Sequence, residues 1–167
     1  MELASAGLFR ARWTNQIHDE WIRNVLKNRP EITSEQLDRT RCNMNRAVMG
    51  CLVDGHQWLI DALTLPDAGD RHVLAAAIHC SADAIITANL KHFPKAELAK
   101  YEIEAQHPDE FLHNQFGLDQ ASMIIAAQRV RKRLQNPPRT AEEYLDTLEA
   151  QQLPQTVAAP RPYVGVL

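Results

Sequence analysis

The feature that most limits the fold is a short apolar run that directly follows an amphipathic helix. Apolar residues recur at helical spacing from about Asp70 to Ile78, and residues 84–87, Ala-Ile-Ile-Thr, then form a continuous apolar segment. Such a segment is typical of a strand buried on both faces of a sheet. Residues 58–63 predict another strand before the helix. Strand, helix and strand in this order imply a parallel, right-handed crossover, and therefore an α/β fold.

The remaining N-terminal segments are predicted mainly as helices. Residues 8–13 alternate imperfectly and indicate a short strand, after which Thr14 is a good N-cap for a helix. A second helix starts at residues 33–34 and is stopped at residues 54–55, Asp-Gly. Residues 101–103 indicate a short edge strand.

The chain changes character after residue 105. From Pro108 onward the pattern is helical only, and Thr140 with Glu143 forms the sequence signature of a capping box. The last residues contain Pro160 and Pro162, which favour an extended or disordered chain. We therefore expect three parts: an α/β domain over residues 1–105, a helical extension over 106–153 and an extended or disordered tail over 154–167.

Composition and charge argue against a membrane protein and give no general affinity for nucleic acid. The chain has 167 residues, 45% of them hydrophobic, and a formal net charge of -3. No apolar run approaches the roughly 20 residues that span a bilayer, and the N-terminus does not resemble a secretory signal. A cytoplasmic location is therefore expected. The three cysteines show no paired spacing, which favours buried free thiols over a disulfide framework.

Binding to RNA would need a local basic surface, because the chain as a whole is slightly acidic. Arg129, Arg131, Lys132 and Arg133 form the one dense basic cluster. A solvated helix face explains such a charge run more often than a binding surface does.

Three acidic residues stand where an α/β sheet would place a reactive site. Asp67 and Asp70 lie in the loop between the predicted strand and the helix. Active sites of open parallel sheets form at the carboxyl ends of the strands. Glu20 borders the apolar face of the first long helix. Three carboxylates suit Mg²⁺ or Mn²⁺, which can activate water and offset charge on a scissile phosphate.

Each of these acids also has a purely structural explanation. Asp67 is a favoured turn residue, and Asp70 is a favoured N-cap. Glu20 is a helix glutamate, a type that is commonly exposed. The residues alone leave both explanations open.

Several segments together resemble a known family. Residues 65–79, Leu-Pro-Asp-Ala-Gly-Asp-Arg-His-Val-Leu-Ala-Ala-Ala-Ile-His, and residues 82–94, Ala-Asp-Ala-Ile-Ile-Thr-Ala-Asn-Leu-Lys-His-Phe-Pro, resemble the second half of a PIN domain. Residues 17–24, Ile-His-Asp-Glu-Trp-Ile-Arg-Asn, resemble the first acidic helix of that family. The segments 108–112 and 131–138 resemble the C-terminal extension of a VapC-like subgroup.

The resemblance implies a PIN-like three-layer α/β/α fold with a parallel sheet and additional C-terminal helices. It also implies a metal-dependent ribonuclease of the toxin–antitoxin type, with RNA as substrate and a cognate antitoxin as partner. By position, Glu20 and Asp70 match two acids of the family, and Asp67 matches an accessory acid. Thr87 and Asn89 match the Thr-x-Asp/Asn position after the last core strand. The implied catalytic set is these five residues, with Mg²⁺ or Mn²⁺ held by Glu20, Asp67 and Asp70.

This chain departs from the family pattern at two points. Family members open with a strand that ends in a catalytic aspartate. This sequence has no such strand, and residues 1–4 resemble the end of the helix that would follow it. An internal start or a fragment of a longer product would explain this, and we expect weak or no nuclease activity from the chain as given. The strand would be central, so dimerisation, strand exchange or a separate N-terminal peptide would have to fill its place. Asn89 replaces a fourth acid and contributes no charge.

Two other functions remain open at this point. A catalytically impaired PIN-fold module could bind RNA or an antitoxin without cleaving RNA. A nucleotide-binding α/β protein is disfavoured, because the six glycines are isolated and neither GxGxxG nor GxxxxGK[ST] occurs.

Overall fold

The computed structural model describes all residues, 1–167, and divides them into two compact units. The first unit comprises Met1, Arg10–Ile85 and Asn89–Ala105, and the second comprises Glu2–Phe9, Ile86–Ala88 and Gln106–Leu167. The regular elements, in chain order, are the α-helices and strands α1 (Glu2–Ser5), α2 (Asn15–Asn28), α3 (Ser34–Ala47), α4 (Arg71–His79), β1 (Ala84–Ile86), α5 (Lys95–Leu98), β2 (Glu104–Gln106), α6 (Pro108–Leu118), α7 (Gln120–Arg133), α8 (Ala141–Ala150) and α9 (Pro154–Ala158). Short 3₁₀ helices cover Gln57–Ala62, Ala68–Asp70, Leu90–His92, Ala99–Tyr101 and Arg161–Val166.

The predicted α/β class is confirmed by a small parallel sheet of two strands, β1 and β2. The Glu104 N–H donates to the Asp83 carbonyl at 3.1 Å, and the Thr87 N–H donates to the Gln106 carbonyl at 3.0 Å. The expectation that β1 is buried on both faces is wrong, since Ile85 is buried but Ile86 is 41% exposed. Other side chains therefore cover only one face of β1.

The core of the first unit lies around α4. Leu74 and Ala75 of α4 are fully buried, as is Leu98 of α5. Burial of apolar area, at about 25 cal/mol per Å², is the largest favourable contribution to the stability of a fold. This core therefore fixes the start of α4 and the loop before it. Its buried members are Leu63, Leu65, Leu74, Ala75, Ala77, Ile85, Phe93, Leu98 and Ile103.

A polar network fixes α2 against α3. Thr14 caps α2, as predicted, by accepting from the Ile17 N–H at 3.1 Å. The Trp21 indole N–H donates to His18 Nδ1 at 2.9 Å, which leaves the His18 proton on Nε2, 2.9 Å from Asn45 Oδ1. Trp13 Nε1 donates to the same Asn45 oxygen at 2.8 Å. His18 is only 1% exposed, so it is this network, and not an apolar stripe alone, that holds α2 in place.

Four element predictions in the first unit are wrong. The sequence predicts a strand over residues 58–63, but a 3₁₀ helix covers Gln57–Ala62. Residues 8–13 form no strand; Trp13 makes a single parallel bridge with Leu52. The helix expected to run to residues 54–55 ends at Ala47, and the second strand lies at Glu104–Gln106, not at 101–103. Over residues 58–63 local alternation is present, but no neighbouring strand pairs with the segment.

In the second unit, helices α6 to α9 surround a separate core. Tyr144 and Leu145 of α8 are buried together with Val157 of α9 and the last residue, Leu167. The predicted capping box of α8 is confirmed: Thr140 accepts from the Glu143 N–H at 3.1 Å, and Glu143 accepts from the Thr140 N–H at 2.9 Å. Burial raises the pKa of the Tyr144 phenol.

The prediction of an extended or disordered tail over residues 154–167 is wrong. Residues Pro154–Ala158 form α9, and residues Arg161–Val166 form a 3₁₀ helix. The physical reason is a helix cap from a residue that is far away in the sequence. The buried carboxylate of Asp109 accepts from the Gln155 N–H at 3.0 Å and from the Thr156 N–H at 2.7 Å.

One face of α7 packs largely inward. Met123 is buried, and Ile124, Ala127 and Val130 pack against the core of this unit, but Leu134 is 39% exposed because α7 ends at Arg133. No helix of the chain combines the length and the apolar character needed to cross a membrane.

Candidate metal centre

Three potential metal ligands meet in the first unit: Asp67, Asp70 and His92. Each offers one oxygen or nitrogen atom, and these atoms all lie within 4.8 Å of one another. His92 Nδ1 lies 2.7 Å from Asp70 Oδ2 and 3.9 Å from Asp67 Oδ2. The structure therefore brings together two acids singled out by the sequence and a histidine that was not.

Asp70 stands at the N-cap position of α4, but its side chain makes no capping hydrogen bond. The carboxylate instead contacts His92 and is about one quarter exposed. The structural explanation that the sequence offered for Asp70, helix capping, is therefore wrong. The carboxylate is available for another role.

Asp67 is a turn residue and keeps one oxygen free of the turn. Its Oδ1 accepts from the Gly69 N–H at 2.8 Å. A Cβ atom at position 69 would lie 3.1 Å from that same oxygen, so glycine allows the loop to close this tightly. Asp67 Oδ2 lies on the side of His92. The structural and the functional explanation of Asp67 are therefore compatible.

His92 is positioned by the 3₁₀ helix Leu90–His92 that follows β1. Its backbone N–H donates to the Asn89 carbonyl at 2.9 Å, and the next residue, Phe93, is buried in the core. Sequence reasoning missed His92. The available signal was an imidazole, a common metal ligand, in the segment that directly follows a predicted strand.

Glu20, the third predicted acid, contacts the start of α4. Its Oε1 lies 2.9 Å from Nε2 of His72, the second residue of that helix, and its side chain is 38% exposed. The contact ties Glu20 to a residue two positions after Asp70. Convergence of the Glu20 and Asp70 carboxylates on one metal stays a prediction.

Thr87 and Asn89, the other two predicted site residues, lie between β1 and His92. The Thr87 backbone continues the pairing with β2 through its bond to Gln106. Asn89 is the N-cap residue of the 3₁₀ helix that carries His92, although its side chain makes no capping bond. The catalytic roles assigned to the two side chains stay predictions.

A cavity of about 400 Å³ opens beside this centre, lined by Pro66, Asp67, Ala68, Lys91 and His92. Lys91 is exposed and takes part in no ion pair. An unpaired ammonium group next to carboxylates gives the cavity a cation that can meet an anionic ligand.

The donor set fits a divalent cation. Two carboxylates supply the oxygen ligands that Mg²⁺ and Mn²⁺ prefer, and an imidazole is a ligand that Mn²⁺ tolerates better than Mg²⁺ does. Asp67, Asp70 and His92 form the one group of three or more such residues in the chain whose ligand atoms come this close.

A second group of histidines lies around His56, but it forms no comparable cluster. His56 is 2% exposed and its Nδ1 has no hydrogen-bond partner. Burial lowers the pKa of His56, and the nearby charges of His72 and His79 lower it further. The neutral imidazole is therefore favoured in the folded chain.

The basic cluster of α7 is occupied largely by contacts within the second unit. Arg129 and Arg133 lie 3.5 and 2.7 Å from the Glu2 carboxylate. Arg131 donates to the carbonyls of Leu167 and Arg139, both at 2.9 Å, so the expectation that Arg131 is fully solvated is wrong. Lys132 is exposed and unpaired. The structural explanation of this cluster is favoured over an RNA surface.

Comparison with known proteins agrees with the resemblance seen in the sequence. Residues 108–162 match the family model described as the VapC50 C-terminal domain. Over 93 residues, 55% of this chain, the sequence is 44% identical to "Putative ribonuclease VapC50" from Mycobacterium tuberculosis (strain ATCC 25618 / H37Rv), and the alignment covers 54% of that protein. The chain thus spans about half the length of the curated relative it matches. No solved structure shows a significant match.

These matches show that the chain is similar to a VapC-like protein and that its C-terminal part is similar to the VapC50 C-terminal domain. The VapC50 C-terminal domain match lies within the second unit and runs past residue 153, in agreement with the folded α9. It includes none of Glu20, Asp67, Asp70 and His92. The assignment of a metal centre to this chain therefore depends on the geometry of the first unit.

Proposed function

We propose that this chain is a metal-dependent endoribonuclease of the toxin–antitoxin type, which hydrolyses phosphodiester bonds of RNA. The observation that carries the proposal is the convergence of Asp67, Asp70 and His92 within 4.8 Å. The similarity to a protein named as a ribonuclease supports the choice of reaction. The metal centre would lie in the first unit.

Asp67, Asp70 and His92, with Glu20 as the fourth contributor, would hold Mg²⁺ or Mn²⁺. A divalent cation bound there would polarise a water molecule and offset the charge that develops on the scissile phosphate. Asp70 supplies a carboxylate that no helix cap engages, and Asp67 supplies the oxygen that the turn leaves free. Asn89 and Thr87 would orient the substrate or water from the loop after β1.

The cavity beside the centre supports a phosphate-containing substrate. Lys91 shares this cavity with Asp67 and His92. Its ammonium group would contact a phosphate next to the scissile one, and so keep the RNA backbone beside the acids despite the net charge of -3.

A cognate antitoxin is the expected partner, and the cytoplasm is the expected location. Both follow from the VapC-like resemblance and stay predictions, as does homodimerisation. The catalytically impaired binding module is the competing function, and the experiment below separates the two.

The experiment is RNA cleavage by the whole chain with a generic single-stranded RNA at several millimolar Mn²⁺, Mg²⁺ or EDTA. Cleavage that requires the metal and disappears with EDTA supports the proposal. Binding of Mn²⁺ is measured in parallel by titration calorimetry without RNA. Mn²⁺ binding without cleavage would favour the impaired module. The absence of both Mn²⁺ binding and RNA cleavage would overturn the metal centre itself.

A further inference from the structure

A buried histidine contacts the candidate ligand Glu20. His72 is 2% exposed, and its Nε2 lies 2.9 Å from Glu20 Oε1. The glutamate side chain is 38% exposed, so one partner is fixed in the protein interior and the other reaches the surface. The contact joins α2 to α4. On α4 it is made by His72, which lies two positions after Asp70.

Neither ring nitrogen of His72 has a hydrogen-bond partner of good geometry. The distance to Glu20 is that of a hydrogen bond, but the ring N–H does not point at the carboxylate. Buried polar groups without partners are rare and costly in native proteins. A shift of the Glu20 side chain that brings Oε1 into line with the Nε2–H bond would satisfy Nε2.

We propose that His72 is a positioning residue that directs the Glu20 carboxylate toward the centre formed by Asp67, Asp70 and His92. The inference rests on the proposed function, since it gives Glu20 a metal to bind. A glutamate side chain has three rotatable bonds and, when half exposed, populates several rotamers. A donor held rigidly in the interior selects one of them. The orienting partners of metal ligands have this role in known metal sites.

The position of His72 links this effect to Asp70. Both residues belong to the first turn of α4, whose next turn is anchored by the fully buried Leu74 and Ala75. Any shift of α4 would therefore move Asp70 and the donor for Glu20 together. The spacing between Asp70 and the His72 donor is therefore maintained by one rigid element, α4.

The test compares Mn²⁺ affinity, measured by calorimetry and by the electron paramagnetic resonance spectrum of bound Mn²⁺, for the whole chain and its variants. His72→Leu should weaken Mn²⁺ binding about 10- to 100-fold, the usual effect of losing an orienting partner. His72→Gln should restore most of the affinity, because its amide N–H lies near the position of Nε2. His72→Asn should not, since its amide is one carbon shorter.

The matched control is His56→Leu, which also replaces a buried histidine by an apolar residue, in the neighbourhood of His72. Equal Mn²⁺ affinity of His72→Leu and His56→Leu would overturn the inference. If His72→Leu fails to fold, the contrast between His72→Gln and His72→Asn decides the question, with thermal unfolding as the check on folding. Equal Mn²⁺ affinities of His72→Gln and His72→Asn would also overturn the inference.

A double-variant cycle tests whether His72 acts through Glu20. With Glu20→Ala present, His72→Gln and His72→Asn should have the same Mn²⁺ affinity, because the oriented carboxylate is gone. A persistent difference would show that His72 acts by another route and would overturn the proposal. Failure of the proposed metal centre gives a different result, because the unaltered chain would then bind no Mn²⁺ at all. Failure of the ribonuclease activity alone would leave Mn²⁺ binding in place and abolish RNA cleavage only.

Discussion

Asp70 Oδ2 and His92 Nδ1 lie 2.7 Å apart, although 22 residues separate them in the chain. The contact joins the start of α4 to the 3₁₀ turn that follows β1. It also explains why the Asp70 carboxylate does not cap its own helix. The same pair, with Asp67, defines where a metal would be held.

Replacement of Asp70 by asparagine should abolish most Mn²⁺ binding and RNA cleavage. The amide keeps the shape of the side chain but removes a charge and an oxygen ligand, so a loss of at least about 10- to 100-fold is expected. Asp61→Asn is the matched control, because Asp61 is an exposed acid of the same unit outside the cluster. Full activity of Asp70→Asn in the Mn²⁺ cleavage assay would remove Asp70 from the site.

Replacement of His92 by asparagine should weaken Mn²⁺ binding more than Mg²⁺ binding. An imidazole nitrogen contributes more to binding of transition-metal ions than of Mg²⁺, which prefers oxygen. The measurement is the ratio of the two affinities by calorimetry, with the exposed His113→Asn as control. An unchanged ratio would mean that His92 contacts Asp70 without binding the metal.

Replacement of Lys91 by glutamine should weaken RNA binding and reduce its dependence on salt. Each phosphate contact to a single strand contributes about -0.7 to the slope of log affinity against log salt concentration. The variant's slope should therefore be less steep by about 0.7. Binding is measured in EDTA to prevent cleavage. Lys95→Gln removes the same charge from α5, away from the cavity lining, and should leave the slope nearly unchanged. Identical slopes for the two variants would exclude a phosphate contact at Lys91.

Replacement of Asp109 by alanine should destabilise the second unit by about 2–3 kcal/mol, since charged hydrogen bonds and a helix cap are lost. The carboxylate accepts from the Gln155 and Thr156 N–H groups, 46 and 47 residues away. Urea unfolding at pH 7 measures the effect. Asp146→Ala, which loses only a 3.8 Å surface contact with Arg161, should change stability by less than about 0.5 kcal/mol.

The same carboxylate should make stability depend on acid pH. Burial alone raises the pKa of Asp109, but the hydrogen bonds from Thr156 and Gln155 outweigh this effect and hold the pKa below its ordinary value. The stabilisation is therefore fully present above about pH 4, the pKa range of an unfolded aspartate, and is lost as pH falls through the lower folded value. Between pH 5 and pH 2 the unaltered chain should lose more stability than Asp109→Asn. Parallel pH profiles would contradict this assignment.

Local signals predicted the helices well, because a cap and its helix are close in sequence. Thr14, Thr33 and Thr140 all cap helices where the pattern placed them. Strands were predicted less well. Residues 58–63 have a strand-like composition, but a strand needs a neighbour with which to pair, and Trp58 in the observed 3₁₀ helix is 73% exposed. The tail was misjudged for the same reason, since its cap, Asp109, lies far away in the sequence.

The sequence by itself determined that the chain is α/β, that α4 begins beside two aspartates and that the segments resemble PIN proteins. These properties depend on periodicity, capping and residue type, all of which act over a few neighbouring positions. Only the tertiary structure decided that His92 meets Asp70, that His72 contacts Glu20 and that Asp70 is not a cap. Such contacts depend on how the buried residues of α4, β1 and α5 pack, and packing of distant segments fixes side-chain distances that no local pattern encodes.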